Sequence, residues 1–262
     1  MTSVIRSVYD AGASAWSVAP DQVFGLLAED LLARGPAWSG LRVVDIGAGS
    51  GTATSRLAAR GAQVVPLDGA PAMLGVTRSR ASCLPVAGDA NALPFADGSF
   101  DAAVLGFVLN HLDDPAGALR EVRRVVRPGG AVLASTWQRD GDHRLPDLVE
   151  AALFANGFER PEWYATFKGG SALLTDTPDG MVEAARAAGL VDVEAAQVTI
   201  ELALPVDALI DWRLNLPHTA PFLASLPTAQ AIALRSGLLA GAAELLPAYA
   251  HLVALTARVP AP

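Results

Sequence analysis

Residues 43–52 read Val-Val-Asp-Ile-Gly-Ala-Gly-Ser-Gly-Thr, a short apolar run rich in β-branched residues that ends in three glycines at alternate positions. A helix-compatible segment, 52–60, follows at once. This pattern predicts a strand, a tight turn and a helix N-terminus. Glycines suit the turn because they tolerate positive φ and let a ligand approach the backbone with no Cβ in the way. The free N–H groups at the helix start offer hydrogen bonds to a polar or anionic ligand.

The spacing narrows the ligand. A dinucleotide fingerprint requires Gly-x-Gly-x-x-Gly. Here the third glycine comes one residue early, at Gly51, and Thr52 holds the dinucleotide position. Asp45, Gly47, Gly49 and Gly51 match Asp/Glu-x-Gly-x-Gly-x-Gly, and at this point the chain resembles the class I S-adenosylmethionine-dependent methyltransferases. Further matches stand in register. Residues 62–68 form a second apolar run ending in Asp68, where a carboxylate can accept two hydrogen bonds from a ribose diol. The stretch 69–74 resembles the family's segment after that acid, where an apolar residue packs on adenine. Residues 85–95 resemble the third motif, in which an Asp and the backbone beside it read the adenine edge. Residues 99–107 are a fourth strand, and 126–133 the turn into a fifth.

The resemblance is close over about residues 40–137 and looser in the flanks. It implies an α/β fold: a doubly wound, mostly parallel seven-stranded sheet with an antiparallel last strand. It also implies S-adenosyl-L-methionine as cofactor, bound by Asp45, Gly47, Ala48, Gly49, Gly51, Asp68, Gly69, Met73, Asp89, Ala90, Asn91 and Phe107, with Leu93 beside the adenine.

Composition sets limits on partners. A chain of 262 residues with 52% hydrophobic and 18% charged residues has material for a full core and is expected to be globular. Its net charge of −8 argues against a nucleic-acid backbone as substrate. Cys83, the only cysteine, rules out an intramolecular disulfide and reads as a core residue of the third strand. The N-terminal residues lack the apolar core of a signal peptide. The longest uncharged stretch, 214–234, is broken by Pro217, Pro221 and Pro227 and is unsuited to crossing a membrane. A soluble, cytoplasmic protein is expected, with its oligomeric state open, a homodimer included.

The elements alternate as a doubly wound fold requires. Residues 21–34 read as a leading helix and strands are expected near 41–47, 63–68, 83–87, 100–107 and 130–137. A helix starts at Pro115 and is closed by 127–130. A further helix spans 177–189, residues 190–204 alternate like a sixth strand, and 248–258 form the last. One domain is expected, with a core at about 36–137, 177–204 and 248–258. Residues 1–20, 138–176 and 205–247 lie outside that core, and insertions of this length are usually functional. They carry Tyr9, Trp16, Tyr164 and Trp212, with Trp137 at the border, and together would form a largely apolar lid that binds substrate.

The implied chemistry is displacement at a sulfonium methyl. Alignment of the reactants contributes on the order of 7–11 kcal/mol, and a general base adds about 10²–10⁴-fold when the acceptor is a hydroxyl. His111, after the fourth strand, is the first candidate, with a supporting role in the cofactor loop as the alternative; His218 is the second. His143 is a weaker candidate, and His251 reads as structural. No metal site is expected, since the histidines lack zinc-helix spacing. The Asp113-Asp114 pair is read as a helix-start anion pair. The chain lacks the Asn/Asp-Pro-Pro-Tyr/Phe signature of enzymes that methylate planar nitrogens, and a small, partly apolar metabolite, such as one from secondary metabolism, is the expected acceptor. Two other readings stay open. One is a non-methylating cyclisation or rearrangement on a bound S-adenosyl ligand. The other, a nicotinamide-dependent reductase, is opposed by Thr52 at the dinucleotide position.

Overall fold

A computed structural model describes residues 3–16 and 20–261. Its sheet has seven strands: β1 (Arg42–Ile46), β2 (Gln63–Asp68), β3 (Val86–Ala87), β4 (Phe100–Gly106), β5 (Val126–Trp137), β6 (Val191–Glu201) and β7 (Tyr249–Arg258). The spatial order is β3-β2-β1-β4-β5-β7-β6. The first five strands pair in parallel, and β7 enters antiparallel between β5 and β6, as expected for this α/β architecture. Val43, Val44, Ala102, Ala103 and Val104 are wholly buried, because helices cover both faces of the central strands. That is why β1 and β4 read as continuous apolar runs and not as alternation.

The helices are α1 (Ser3–Ala11), α2 (Ala13–Trp16), α3 (Pro20–Ala33), α4 (Thr52–Ala59), α5 (Pro71–Arg80) and α6 (Pro115–Val125). They continue as α7 (Arg144–Ala155), α8 (Glu162–Gly169), α9 (Pro178–Ala187), α10 (Val206–Leu214), α11 (Ala220–Ser225) and α12 (Thr228–Ala243). On one face Leu31 and Leu32 of α3 and Leu57 of α4 pack over Val43, Val104 and Leu133. On the other, Leu119 and Val122 of α6 and Met181 of α9 pack over Val44, Ala103 and Val132. Asp114 starts α6: its carboxylate accepts from Gly117 N at 2.7 Å, and Pro115 takes the first helical position. A third core lies beyond the strand ends. There Val149 and Leu153 of α7, Leu209 and Ile210 of α10, and Leu234 and Leu238 of α12 close around Val23 and Leu27 of α3.

Several expectations need correction. The third strand shrinks to Val86–Ala87, and Cys83 sits half-buried in the loop before it. Leu84 is 86% exposed, so this segment hangs off the sheet edge, and Pro85 has no N–H to give to a ladder. Residues 127–130 do not close α6 as a separate turn. The fifth strand already begins at Val126, which pairs with Phe100, and a register shift between Phe100 and Ala102 absorbs the extra residues. The uncharged stretch 214–234 is divided among α10, α11 and α12, and among the described residues no helix is long and apolar enough to cross a membrane. Residues 1, 2 and 17–19 of the expected lid lie outside the described residues.

Candidate active site

The strand order reverses between β1 and β4, and ligands of open α/β sheets bind beyond the carboxyl ends of the strands at such a point. Gly47 follows β1 there and Phe107 follows β4. The three motif glycines all have positive φ: 71° at Gly47, 54° at Gly49 and 83° at Gly51. Their surroundings differ. A Cβ on Gly47 would stand 2.6 Å from Val108, and one on Gly51 2.9 Å from the Thr77 side chain and 3.1 Å from its Cα. A Cβ on Gly49 would meet nothing nearer than the Gly47 carbonyl at 4.0 Å. Gly47 and Gly51 are therefore required by packing, whereas Gly49 keeps its bare face toward the cleft. Thr77 Oγ1 donates to the Gly49 carbonyl at 2.7 Å and braces the turn from α5. Asp21 of α3 braces it from the other side, accepting from Ser50 Oγ at 3.3 Å, from Thr52 Oγ1 and from Arg80 at 2.6 Å.

Asp68 ends β2 beside this turn. Its two carboxylate oxygens accept from Gly49 N and Ala70 N, each at 2.8 Å. Burial pushes its carboxyl up, and the backbone N–H groups of Ala70, Gly49 and Gly69 pull it back. The carboxylate is thus fixed in direction with lone pairs to spare. Asp45, almost fully buried, accepts from Thr54 Oγ1 at 2.6 Å; burial pushes its pKa up to about 6.

The turn opens into a cleft of about 750 Å³. Ala48, Gly49, Asp68, Gly69, Met73, Asp89 and Ala90 line one part of it. Another part is a wall of touching rings. Trp16 lies 5.0 Å from Phe24, Phe24 5.1 Å from Phe107, Phe107 4.8 Å from Trp137, and Trp137 5.9 Å from Trp212 with the rings nearly parallel. Phe107 reaches its place with φ at 58°, a conformation rare for any residue with a Cβ and typical of functional sites.

His111, in the short turn after β4, connects the two parts. Its Nε2 shares a hydrogen bond with Tyr9 Oη at 3.2 Å, its ring stacks on Phe167 at 4.7 Å, and its buried Nδ1 has no partner. Burial pushes its pKa down to about 4, so it is neutral at neutral pH. Burial raises Tyr9, which keeps its proton. His218 stacks on Tyr164 at 3.8 Å, and burial, with help from Arg213, Lys168 and Arg160, pushes its pKa down to about 3.

The structure thus brings His111, His218, Tyr9, Trp16, Trp137, Tyr164 and Trp212 to one cleft. Three residues of the expected cofactor set lie elsewhere. Gly51 is packed beneath Thr77, Asn91 is exposed outside the cleft wall, and Leu93 belongs to the sheet core. His251, read as structural, lines the cleft with its buried Nε2 unpartnered, and Thr199 Oγ1 lies 3.2 Å from its Nδ1. Phe24, Asn110, Ser135 and Arg213 also line the cleft and escaped sequence reading. Phe24 carries the same signal as its core neighbours on α3, and Ser135 looks like any polar residue in a strand. Asn110 stands beside His111, which was the only hint.

These residues fit an S-adenosyl group. Gly49 leaves room for a ligand against the backbone, Asp68 is preset to accept from a diol, and buried Asn110 Oδ1 and Ser135 Oγ face the same cleft without partners. A family model described as a methyltransferase domain matches residues 44–134. The demethylmenaquinone methyltransferase of Renibacterium salmoninarum is 44% identical over 97 residues, which is 37% of this chain and 41% of that one. The Mycobacterium sp. (strain KMS) protein of the same name is 38% identical over 153 residues, 58% of this chain and 65% of its own. The chain spans from about two fifths to just under two thirds of the length of these curated relatives. Haemonchus contortus phosphoethanolamine N-methyltransferase 2, solved with S-adenosylhomocysteine, shares the fold at TM-score 0.61 and 20% identity over 96% of this chain and 57% of its own. The cyclase SpnF shares it at TM-score 0.57 and 20% identity over 91% of this chain and 81% of its own. Residues 44–134 thus match a methyltransferase domain, and the sheet order and glycine turn around them are those that the class I S-adenosylmethionine-dependent resemblance implies.

Proposed function

We propose that the chain transfers a methyl group from S-adenosylmethionine to a small, partly apolar metabolite. The observation that carries this reading is one cleft with a backbone cradle at Gly49, a preset carboxylate at Asp68 and a wall of aromatic rings. Apolar walls with a few convergent polar groups are what a metabolite site needs. S-adenosylmethionine supplies an electrophilic methyl on sulfur. Asp68 and the 47–49 backbone hold the nucleoside part, and Met73 packs beside it. The ring wall from Phe24 to Trp212 aligns the acceptor and excludes water. Neutral His111, positioned by Tyr9 and Phe167, takes the proton from an acceptor hydroxyl. His218, a weaker base in a more cationic corner, serves as wall with Tyr164.

The segments 3–16, 138–176 and 205–247 act as the lid, and the acceptor comes from secondary metabolism in the cytoplasm. A non-methylating rearrangement on the same bound ligand is the second reading, and the cyclase neighbour shares its fold. Calorimetry with S-adenosylhomocysteine and NADH tests the cofactor: binding of the first and not the second is expected, and the reverse refutes the reading. Mass spectrometry of products from a metabolite extract then separates the two readings, since transfer adds a methyl group and rearrangement adds nothing.

A further inference from the structure

The cleft is unevenly charged. In a chain of net charge −8, one corner gathers Arg160, Lys168, Arg213 and His218 around Tyr164. Most cations of the cleft are neutralised: Arg6 by Asp89 at 3.4 Å, Arg139 by Asp176 at 2.9 Å, and Arg160 by Glu150 at 2.6 Å. Among the described residues, Arg213 and Lys168 have no ion-pair partner. Glu150 and Asp147 favour the charge on Arg213 through space, but Glu150 is already held by both arms of Arg160.

Arg213 adjoins the end of the aromatic wall. Its Cζ lies 5.2 Å from the Trp212 ring centroid, and Trp212 stacks on Trp137. Two polar atoms here are buried without partners: Arg213 Nε and Trp212 Nε1. Both can only donate. Leaving two buried donors unpaired costs about 1–3 kcal/mol each, and an anionic acceptor atom would satisfy both at once with charge-assisted hydrogen bonds. Arginine suits this task because its planar fork matches carboxylate and phosphate oxygens.

We propose that the methyl acceptor is an acid: a flat apolar body along the Phe107–Trp137–Trp212 wall, bearing one carboxylate or phosphate oxyanion received by Arg213 and the Trp212 N–H. Lys168 adds longer-range attraction from the cleft mouth. This deepens the methyl-transfer reading and rests on it. The charged group sets the acceptor's orientation, and His111 meets the nucleophile elsewhere in the cleft.

The test is calorimetry on the full chain saturated with S-adenosylhomocysteine, titrated with benzoate, phenyl phosphate, benzyl alcohol and benzylamine. At least one anion is expected to bind tenfold or more tightly than the neutral and cationic probes, and the preferred anion distinguishes carboxylate from phosphate. Arg213→Gln should weaken it at least tenfold, Arg213→Lys less, and Trp212→Phe severalfold, with S-adenosylhomocysteine affinity held within twofold. Equal binding of benzyl alcohol, or an Arg213→Gln protein that binds the anion as well as wild type, overturns the proposal. So does a tenfold loss of S-adenosylhomocysteine affinity with anion binding spared, which would assign Arg213 to the cofactor's own carboxylate. Should Arg213→Gln lose its circular dichroism signature, Arg213→Lys and Trp212→Phe carry the decision. If wild type fails to bind S-adenosylhomocysteine, the methyl-transfer reading falls, while the same titrations without it still judge the anion site.

Discussion

Gly49→Ala and Gly51→Ala look alike in the sequence and should behave in opposite ways. Alanine at either position must adopt positive φ, 54° at Gly49 and 83° at Gly51, which costs about 1–2 kcal/mol. At Gly49 the new methyl enters open space, so the stability loss ends there. At Gly51 it stands 3.1 Å from Thr77 Cα, a backbone atom of α5 that cannot rotate away, and overpacking adds about 1–3 kcal/mol. For ligand binding the order reverses. The Gly49 methyl occupies the space a ligand would use, whereas Gly51 has no place in the cleft wall. Urea unfolding monitored by tryptophan fluorescence gives the stabilities, and calorimetry with S-adenosylhomocysteine gives the affinities. We expect Gly49→Ala to lose less stability and at least tenfold in affinity, and Gly51→Ala to lose more stability while its folded fraction binds nearly as wild type. A Gly49→Ala protein that binds S-adenosylhomocysteine normally would refute the assignment of that face to the ligand.

Asp68→Asn keeps the size of the side chain but removes the charge that the diol would meet; S-adenosylhomocysteine should bind about 1–3 kcal/mol more weakly by calorimetry, and unchanged affinity would separate Asp68 from the nucleoside. Burial raises Asp45 from 3.8 to about 6, so between those values the native state binds more protons than the unfolded one and stability falls as pH rises. Asp45→Asn should flatten that slope and recover up to about 3 kcal/mol above pH 6; denaturant midpoints that show the same slope in both proteins would refute the burial argument. With His111 neutral above about pH 4, kcat/KM for a hydroxyl acceptor should be flat from pH 5 upward, and His111→Gln should lower kcat by about 10²–10⁴-fold. Tyr9→Phe should lower it less, and full kcat in His111→Gln would return His111 to a supporting role.

What the sequence discloses here is local. The strand, turn and helix at 43–52 lie within one contiguous stretch, and so do the acids that end β2 and cap α6, because each depends on neighbours a few residues away. The antiparallel β7 followed from family resemblance and not from its own pattern. Contacts made across the chain were illegible. Tyr9 meets His111 over a separation of 102 residues, and nothing near either one signals the other. Phe107 looks like an ordinary strand residue, yet its φ of 58° turns the ring into the cleft. Arg213 resembles a surface charge until the helix that carries it is packed on α3 and its counter-ions are counted. The three motif glycines show the same limit from the other side: one letter in the sequence, two physical causes in the fold.

The antiparallel entry of β7 has a topological effect on the α10–α12 block. Leu202 donates its N–H to the Ala248 carbonyl at 2.8 Å, so the chain leaves the sheet and rejoins it one hydrogen bond apart. Everything between, including Trp212, Arg213 and His218, is a closed excursion that leaves and rejoins the sheet at one doorway and packs through α10 and α12 on α3 and α7. The β6–β7 ladder that seals this doorway runs on from Glu201↔Tyr249 and is indifferent to what the excursion contains. Such a segment can change in length between its helices so long as the α10 and α12 faces that pack on α3 and α7 are kept, since α3 also braces the glycine turn through Asp21. Recombination that exchanges this excursion would therefore have to carry matching α3 and α7 faces with it.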